Sequence, residues 1–545
     1  MSLDESTLER MDGATPWRRV SRRLGAWRAA RRTDPPAVPY DWFTDAEVAA
    51  YERAAAPGEG GRIDDATWHD LDGKDLMRRL GARASIFARQ HLYRRLRQGA
   101  PDAGEDGVVA EAIDDPATAQ AIARSRAARA LLRAQESELT PVLFGDALPG
   151  VSPALRWLRG APVLHPVALA AWAAGWSSAA LIAVLGYLAI YGWALVGLSG
   201  AVSRFKRQRA GLRALAVAAA SLGEAGLEIP HPVLRPTTAA LAEARRLRAA
   251  LAADSAEWHP MVADYLNLLT LREFATLGRD IERVRLELAA LRALYAAVAE
   301  CEARLCLVEH LRESGAVCRP RWTRARTLRL RAMRHPLLAA GDPLTIDLQG
   351  RGAFITGRNG VGKSTLLRAL GLNLLLARAF GVCFAQEAEL PRGPVWSSLR
   401  HDDSLASGDS LYMAEMRRAQ ALLVAADAVD EHAVFLVDEI FRGTNPLESV
   451  AAAAAVLHRL SAHALVIVSS HNVVLAPLLA DRLEPLRVVR HDAGLAIEPG
   501  VLQEPNGLEM MSRYDVGPDI RANAQRVHDW WSGHVSRPDR FPTLS

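Results

Sequence analysis

Three short runs in this chain have the residue types and spacing for phosphate chemistry. Gly357-Arg358-Asn359-Gly360-Val361-Gly362-Lys363-Ser364-Thr365 fits the pattern GxxxxGKS. Its glycines let backbone N–H groups wrap a β-phosphate, and the start of the following helix adds favourable partial charge. Lys363 is placed to reach the β- and γ-phosphates, and the Ser364 hydroxyl to sit on Mg²⁺. The second run, Val434-Phe435-Leu436-Val437-Asp438-Glu439, ends in two carboxylates. Asp438 can hold Mg²⁺ through water, and Glu439 can polarise an attacking water. The third, Leu465 to Ser470, ends at His471, where an imidazole can sense the γ-phosphate and orient the water. A lone His is more often structural, and it is the series of three that favours a catalytic role. The expected catalytic set is therefore Glu439, His471 and Lys363, with ATP and Mg²⁺ as the ligands.

These residues need a scaffold that puts them on one edge, and the surrounding pattern predicts one. Ala353-Phe354-Ile355-Thr356 is an apolar strand directly before the glycine-rich loop, and a helix opens near Ser364, the context the motif requires. Four apolar residues before Asp438 make a buried parallel strand, and ligands of such sheets bind at the carboxyl ends of the strands. Between the first two runs lies Ser404-Leu405-Ala406-Ser407-Gly408-Asp409-Ser410. Phosphate loop, Ser-Gly loop, Asp-Glu strand and His strand, in that order, form the layout of ABC-type ATPases, whose sites are completed across a dimer.

Bulk composition adds bounds. A chain of 545 residues exceeds what one core usually holds. Half of it is hydrophobic and only 6% aromatic; alanine and leucine dominate, which favours helices. The 66 Lys+Arg against 62 Asp+Glu give a net charge of only +4, which argues neither for nor against nucleic acid. Cys301, Cys306, Cys318 and Cys383 form no CxxC pair and fit a reducing compartment. Residues 1–40 are Arg-rich without an apolar core and read as a solvated arm.

From Gly160 to Ser203 there is no Asp, Glu, Lys or Arg. As one helix the run would extend ~66 Å at ~1.5 Å per residue, about twice the ~30 Å hydrocarbon core. Two spans joined near Gly175-Trp176-Ser177-Ser178 fit better, with Arg156 and Arg159 before and Arg204, Lys206, Arg207 and Arg209 after. Basic residues at both ends place both ends in the cytoplasm. The competing reading is a pair of Ala/Gly-rich helices in a soluble core; the length of the charge-free run favours the membrane. Beyond it, Leu277, Ile281, Val284, Leu288, Leu291, Tyr295 and Val298 form a heptad seam that predicts one long packed helix.

Several words resemble the MutS family. They are Arg334-His335-Pro336-Leu337, Thr356-Gly357-Arg358-Asn359, the run from Asp403 to Met416, Leu436-Val437-Asp438-Glu439-Ile440-Phe441-Arg442-Gly443-Thr444, and Gly500-Val501 through Asn506-Gly507-Leu508. The helical stretch from Thr67 to Leu311 resembles that family's core and lever helices, notably Asp70-Leu71 and Arg89-Gln90-His91-Leu92-Tyr93. The resemblance implies a homodimer through the ATPase domain, composite ATP sites, Ser410 acting in trans, and Pro343-Leu344 packing on adenine. There are departures. No Phe-x-Glu triplet is present for mismatch reading, and the apolar segment stands where a duplex-gripping clamp is expected. Arg358 replaces a usual Pro, Asp409 a basic or neutral residue, and Leu411 a Thr.

The resulting expectation is an α + α/β protein. A flexible arm (1–40) precedes a helical core (41–159), a two-span membrane hairpin (160–203) and a second helical core and lever region (204–318). An ABC-type P-loop ATPase domain with a mixed, mostly parallel sheet (319–530) and a tail (531–545) follow. The expected function is a dimeric MutS-like ATPase coupling ATP state to lever movement, in a DNA-binding, mismatch-repair-like role. The alternative is a membrane-tethered ATPase scaffold or motor with no DNA role, its ATPase domain on the cytoplasmic face. For DNA, Arg78, Arg79, Arg83, Arg89, Arg94, Arg95 and Arg97 are the candidate patch, although their spacing spreads around a helix.

Overall fold

The computed structural model describes residues 43–54, 62–99, 107–134, 139–145, 148, 157–158, 160–252, 267–400, 411–428, 433–492, 494–502 and 518–534. They fall into two compact units. One takes the described residues of Met1–Ala56, Gly81–Tyr93 and Asp115–Leu307; the other takes those of Pro57–Leu80, Arg94–Asp114 and Val308–Ser545. Two segments before residue 115 thus group with the C-terminal residues instead of with the helices around them.

The first unit is helical. Its principal helices are α1 (Ile86–Gln98, which begins here), α2 (Leu164–Ala173), α3 (Ser177–Glu228), α4 (Arg272–Leu286) and α5 (Leu288–Glu313, most of which lies here). Tyr51, Phe87, Phe144 and Tyr295 meet with ring centroids 5.1–5.8 Å apart, within the range of tilted and edge-on aromatic pairs. Beside them Gln90 acts as a buried hub. Its Oε1 accepts from the Tyr295 and Thr140 hydroxyls, and its Nε2 donates to the Glu47 carbonyl at 2.7 Å. That gives the Arg-Gln-x-Leu-Tyr word a physical reason, since a buried amide is tolerated only with its partners in place. Arg89 of the same word is fully buried and donates to the Gly81 carbonyl, so it belongs to the interior and not to a basic face. Glu302, also buried, accepts from the Ser85 N–H and hydroxyl. Burial pushes its carboxyl above the ordinary range against the pull of Ser85, Arg129 and Arg133.

The heptad seam is buried as its spacing predicts, apart from Leu288, which is half-buried. The single long helix is not formed. The chain breaks at Glu287 between α4 and α5, where the N–H turns back to the Arg283 and Val284 carbonyls. The Glu287 carboxylate is held by Arg246, which also binds Glu243, and Leu286 points to solvent. This ion-paired corner is invisible to periodicity.

The two-span hairpin also needs correction. The turn is where it was expected, at Gly175 with φ +82°, a conformation glycine adopts without strain. The second arm, α3, is one helix of 52 residues that continues past the basic cluster, and among the described residues it alone is long and apolar enough to cross a bilayer. The first arm, α2, has only ten residues, ~15 Å at 1.5 Å per residue. Pro162 and Pro166 fall in its approach and first turn, where proline is accommodated at a helix start but not further in.

The second unit is α/β. Its strands are β1 (Arg321–Thr323), β2 (Thr327–Met333), β3 (Leu344–Gln349), β4 (Gly352–Gly357), β5 (Glu387–Pro391), β6 (Val395–Ser398), β7 (Val434–Asp438), β8 (Leu465–Ser469), β9 (Leu483–His491) and β10 (Gly494–Pro499). Six of them make one sheet in the order β10-β9-β4-β8-β7-β6, parallel throughout except for the β10–β9 pair. This is the expected mixed, mostly parallel sheet. Three adjacent inner strands, β4, β8 and β7, are buried at every position, as strands covered on both faces must be. A second, four-stranded sheet, β1-β5-β2-β3, is an addition.

The short helix Asp65–Asp70 is tied into this unit. Thr67 Oγ1 accepts from the Ser397 N–H at 3.0 Å. Asp70 accepts from the Ser397 hydroxyl (2.7 Å), the Leu399 N–H (2.9 Å) and the Arg400 N–H (3.0 Å). Asp64 pairs with Arg418; burial raises its carboxyl, and Arg418 and Thr67 outweigh that and leave it below the usual range. An acidic word near the start of the chain therefore fixes the end of β6.

Candidate active site

Strand β4 delivers the phosphate loop. Gly357 packs so closely that a Cβ there would lie 3.0 Å from both Val361 Cγ1 and the Val488 carbonyl. Gly362 has φ +108° and caps α6 (Lys363–Phe380), a backbone conformation costly for any residue with a Cβ. Arg358, Asn359 and Gly360 are exposed along the loop, Val361 is half-buried, and Thr365 is exposed on the first turn of α6. Lys363 is folded inward. Its Nζ donates to the Gly357 carbonyl at 2.9 Å and the Arg358 carbonyl at 3.4 Å, and lies 3.3 Å from His471 Nε2. Burial draws the ammonium below its ordinary range, against the opposing pull of Glu439 and Asp438.

The carboxylates come from the end of β7. The Ser364 hydroxyl donates to Asp438 Oδ2, and Asp438 is 5% exposed. Two hard oxygens held together at the mouth of a phosphate loop fit Mg²⁺, which prefers few protein ligands supplemented by phosphate and water. Among the described residues no group of three or more His, Cys, Asp or Glu side chains could hold a metal. Glu439 follows with its N–H on the Ser469 carbonyl at 2.8 Å. Its Oε1 lies 3.0 Å from His471 Nε2 and its Oε2 2.7 Å from Arg442 Nε. Burial raises this carboxyl, but His471, Arg442 and Lys363 together pull it below its usual range. Both Glu439 (φ +46°) and Phe441 (φ +61°) occupy the left-handed region. Such conformations cost on the order of 1–3 kcal/mol each and cluster at functional sites.

Lys363, Ser364, Asp438, Glu439 and His471 are thus brought together at the carboxyl edge of the sheet. Two expected residues are not among them. Leu344 is 8% exposed and lies with Ile346 and Leu348 on the buried face of β3. Ser410 lies outside the described residues. Reasoning from sequence missed two others. Arg442 holds Glu439, and Glu415 on α7 (Leu411–Ala428) accepts from the Arg442 N–H at 3.0 Å and the Gly443 N–H at 3.1 Å. A Cβ on Gly443 would sit 2.5 Å from the Tyr412 nitrogen, so loop and helix touch backbone to backbone. The Arg442-Gly443 word carried the signal; its partner, 27 residues away, could not be read from spacing.

A family model described as MutS domain V matches residues 353–496, the stretch that carries every one of these side chains except Leu344. DNA mismatch repair protein MutS of Thermus thermophilus is 34% identical over 259 residues, 45% of this chain and 31% of that protein. Over residues 353–496 the chain resembles the MutS family. Proteins of the same name from Leuconostoc mesenteroides and Granulibacter bethesdensis are 30% and 38% identical over 244 and 179 residues, 43% and 30% of this chain and 28% and 19% of theirs. In each case the matched stretch covers at most about a third of the MutS relative.

Proposed function

We propose that this chain hydrolyses ATP with Mg²⁺ and works on duplex DNA as a homodimer, in the manner the name of its relatives implies. The observation that carries the ATPase reading is the convergence of Lys363, the Ser364–Asp438 pair and the Glu439–His471 pair beside the phosphate loop. In this reading the loop N–H groups from Gly357 to Thr365 bind phosphate, and Lys363 exchanges its carbonyl partners for β- and γ-oxygens. Ser364 and Asp438 hold Mg²⁺, whose charge offsets that of the phosphates. Glu439, ionised because its cationic neighbours keep it so, takes a proton from the attacking water, and His471 orients that water and reports on the γ-phosphate. Ser410 of a second copy closes the site, Leu344 borders the adenine end, and the change in closure moves the helical unit.

The second reading, an ATPase without a DNA role, draws on the apolar exposure of α2 and α3. ATP turnover of the full-length protein, with and without Mg²⁺ and duplex DNA, separates the two, with Glu439→Gln as control. DNA stimulation that disappears at high salt supports the DNA reading, because phosphate contacts are salt-sensitive. Turnover indifferent to DNA supports the second. Turnover that survives Glu439→Gln removes the assigned mechanism.

A further inference from the structure

The tip of the α2–α3 hairpin is apolar on its outward faces, and the length of its first arm is that of half a bilayer. Only the stripe between the arms is covered, through Ala168, Ala180, Ala183 and Tyr187. Outward from it Trp172 and Trp176 are 69% and 67% exposed, Ile182 is 70%, and Leu169, Leu181 and Leu185 are exposed as well. A protein partner covers one stripe of a helix, whereas here both arms present apolar side chains all round the tip. No charged side chain occurs from Gly160 to Ser203.

The base of the tip is marked by a polar collar. The His165 and Tyr187 rings meet at 4.1 Å between centroids, tilted by 53°, pinning one arm to the other. Tyr187 donates its hydroxyl to the Leu268 carbonyl at 2.6 Å, and His165 Nε2 lies 2.9 Å from the Leu269 carbonyl. Farther along α3, Lys206 pairs with Glu273, whose N–H donates to Asn267 Oδ1. From this collar to the turn at Gly175 the arms run ten and twelve residues, ~15–18 Å at 1.5 Å per residue. The hydrocarbon core is ~30 Å thick, so one leaflet is ~15 Å. A full crossing by α3 would carry the polar groups of His165 and Tyr187 and the Leu268 and Leu269 backbone they bind into hydrocarbon, where polar groups are costly.

We infer that α2 and the first three turns of α3 insert as a wedge into a single leaflet of a phospholipid bilayer. The collar of His165, Tyr187 and the Leu268–Leu269 carbonyls sits at the headgroup level. Burial of apolar area drives the insertion, and the exposed tryptophans enlarge that area.

The test is flotation of the full-length protein with phosphatidylcholine–phosphatidylglycerol vesicles, together with labelling at the tip. Wild type floats, and the Trp172→Glu/Ile182→Glu variant loses about tenfold or more in bound fraction while ATP turnover, the check on folding, stays unchanged. Ala174→Cys in a Cys318→Ser background reacts with a membrane-impermeant maleimide in solution. On vesicles it is protected from reagent supplied on either side, because a one-leaflet tip reaches neither aqueous phase. Labelling from inside the vesicle alone means that the hairpin crosses, and overturns the inference. Failure of wild type to float overturns it too, as does a lipid-free dimer that the charged variant splits into monomers, which would make the tip a contact between copies.

Discussion

Replacing Asp70 tests how the N-terminal acidic word supports the ATPase unit. Asp70 is 5% exposed and accepts three hydrogen bonds, from the Ser397 hydroxyl and the Leu399 and Arg400 N–H groups. In Asp70→Asn the retained oxygen can still serve Ser397 and Leu399, because both use Oδ2, but the new NH₂ then faces the Arg400 N–H. Losing one hydrogen bond to a charged group and leaving its donor unpaired costs about 2 kcal/mol. Asp70→Ala strands all three donors, two of them buried, and costs about 3–5 kcal/mol. At roughly 2–4 °C per kcal/mol for a domain of this size, Asn lowers the melting temperature by about 4–8 °C and Ala by clearly more. Differential scanning fluorimetry of the full-length protein in the presence and absence of ATP reads both. If alanine melts within a degree of wild type, or asparagine is as damaging as alanine, the carboxylate is not the fastener inferred here.

The remaining expectations concern the site and its surroundings. Glu439→Gln lowers turnover by about 10²–10⁴-fold, the range for losing a general base, while nucleotide binding measured by fluorescent-analogue titration persists. Lys363→Met, which removes the ammonium from the phosphate loop, weakens ATP binding in the same titration by at least about tenfold. Glu415→Gln sets an NH₂ against either the Arg442 or the Gly443 N–H; kcat falls with little change in KM, and equal loss in both would argue for a general loss of fold. His335 is half-buried, and this burial lowers its pKa to about 4 despite Asp72 nearby. The neutral ring accepts from the Leu337 N–H. Its contribution to stability is therefore full above the unfolded value near ~6.5 and is lost as pH falls from there toward 4, since only the unfolded state takes up the proton. His335→Asn, which can keep the acceptor, flattens the urea midpoint against pH across that window; an unchanged slope would remove His335 as the source.

The inner sheet and the phosphate loop were legible in the sequence because a parallel strand covered on both faces must be a short apolar run, and because such strands end in their chemistry. Val434–Asp438 and Leu465–Ser469 needed nothing else. Elements held by exposed pairs were not legible in the same way. In the four-stranded sheet, Arg329 faces Asp347 and Glu389, and Arg331 faces Glu387, so its strands carry charge where an apolar pattern was sought. The break at Glu287 depends on Arg246, 41 residues earlier. The attachment of Asp70 to Ser397 spans 327 residues and leaves no local trace beyond the word itself. Hydropathy marked where the apolar hairpin begins and ends, but the depth of its first arm was set by two prolines and the contact of the His165 and Tyr187 rings.

The clamp made by Glu415 has a consequence for timing. Helix α7 starts at Leu411, directly after Ser410, and through Glu415 it grips the backbone of the loop that positions Glu439. In a dimer closed by Ser410, one end of that helix would feel the neighbour's nucleotide while its second turn steadies the protomer's own base. The two sites would then be wired as a seesaw, each hearing of the other's γ-phosphate through a single turn of helix, and alternating hydrolysis would follow without any long-range path.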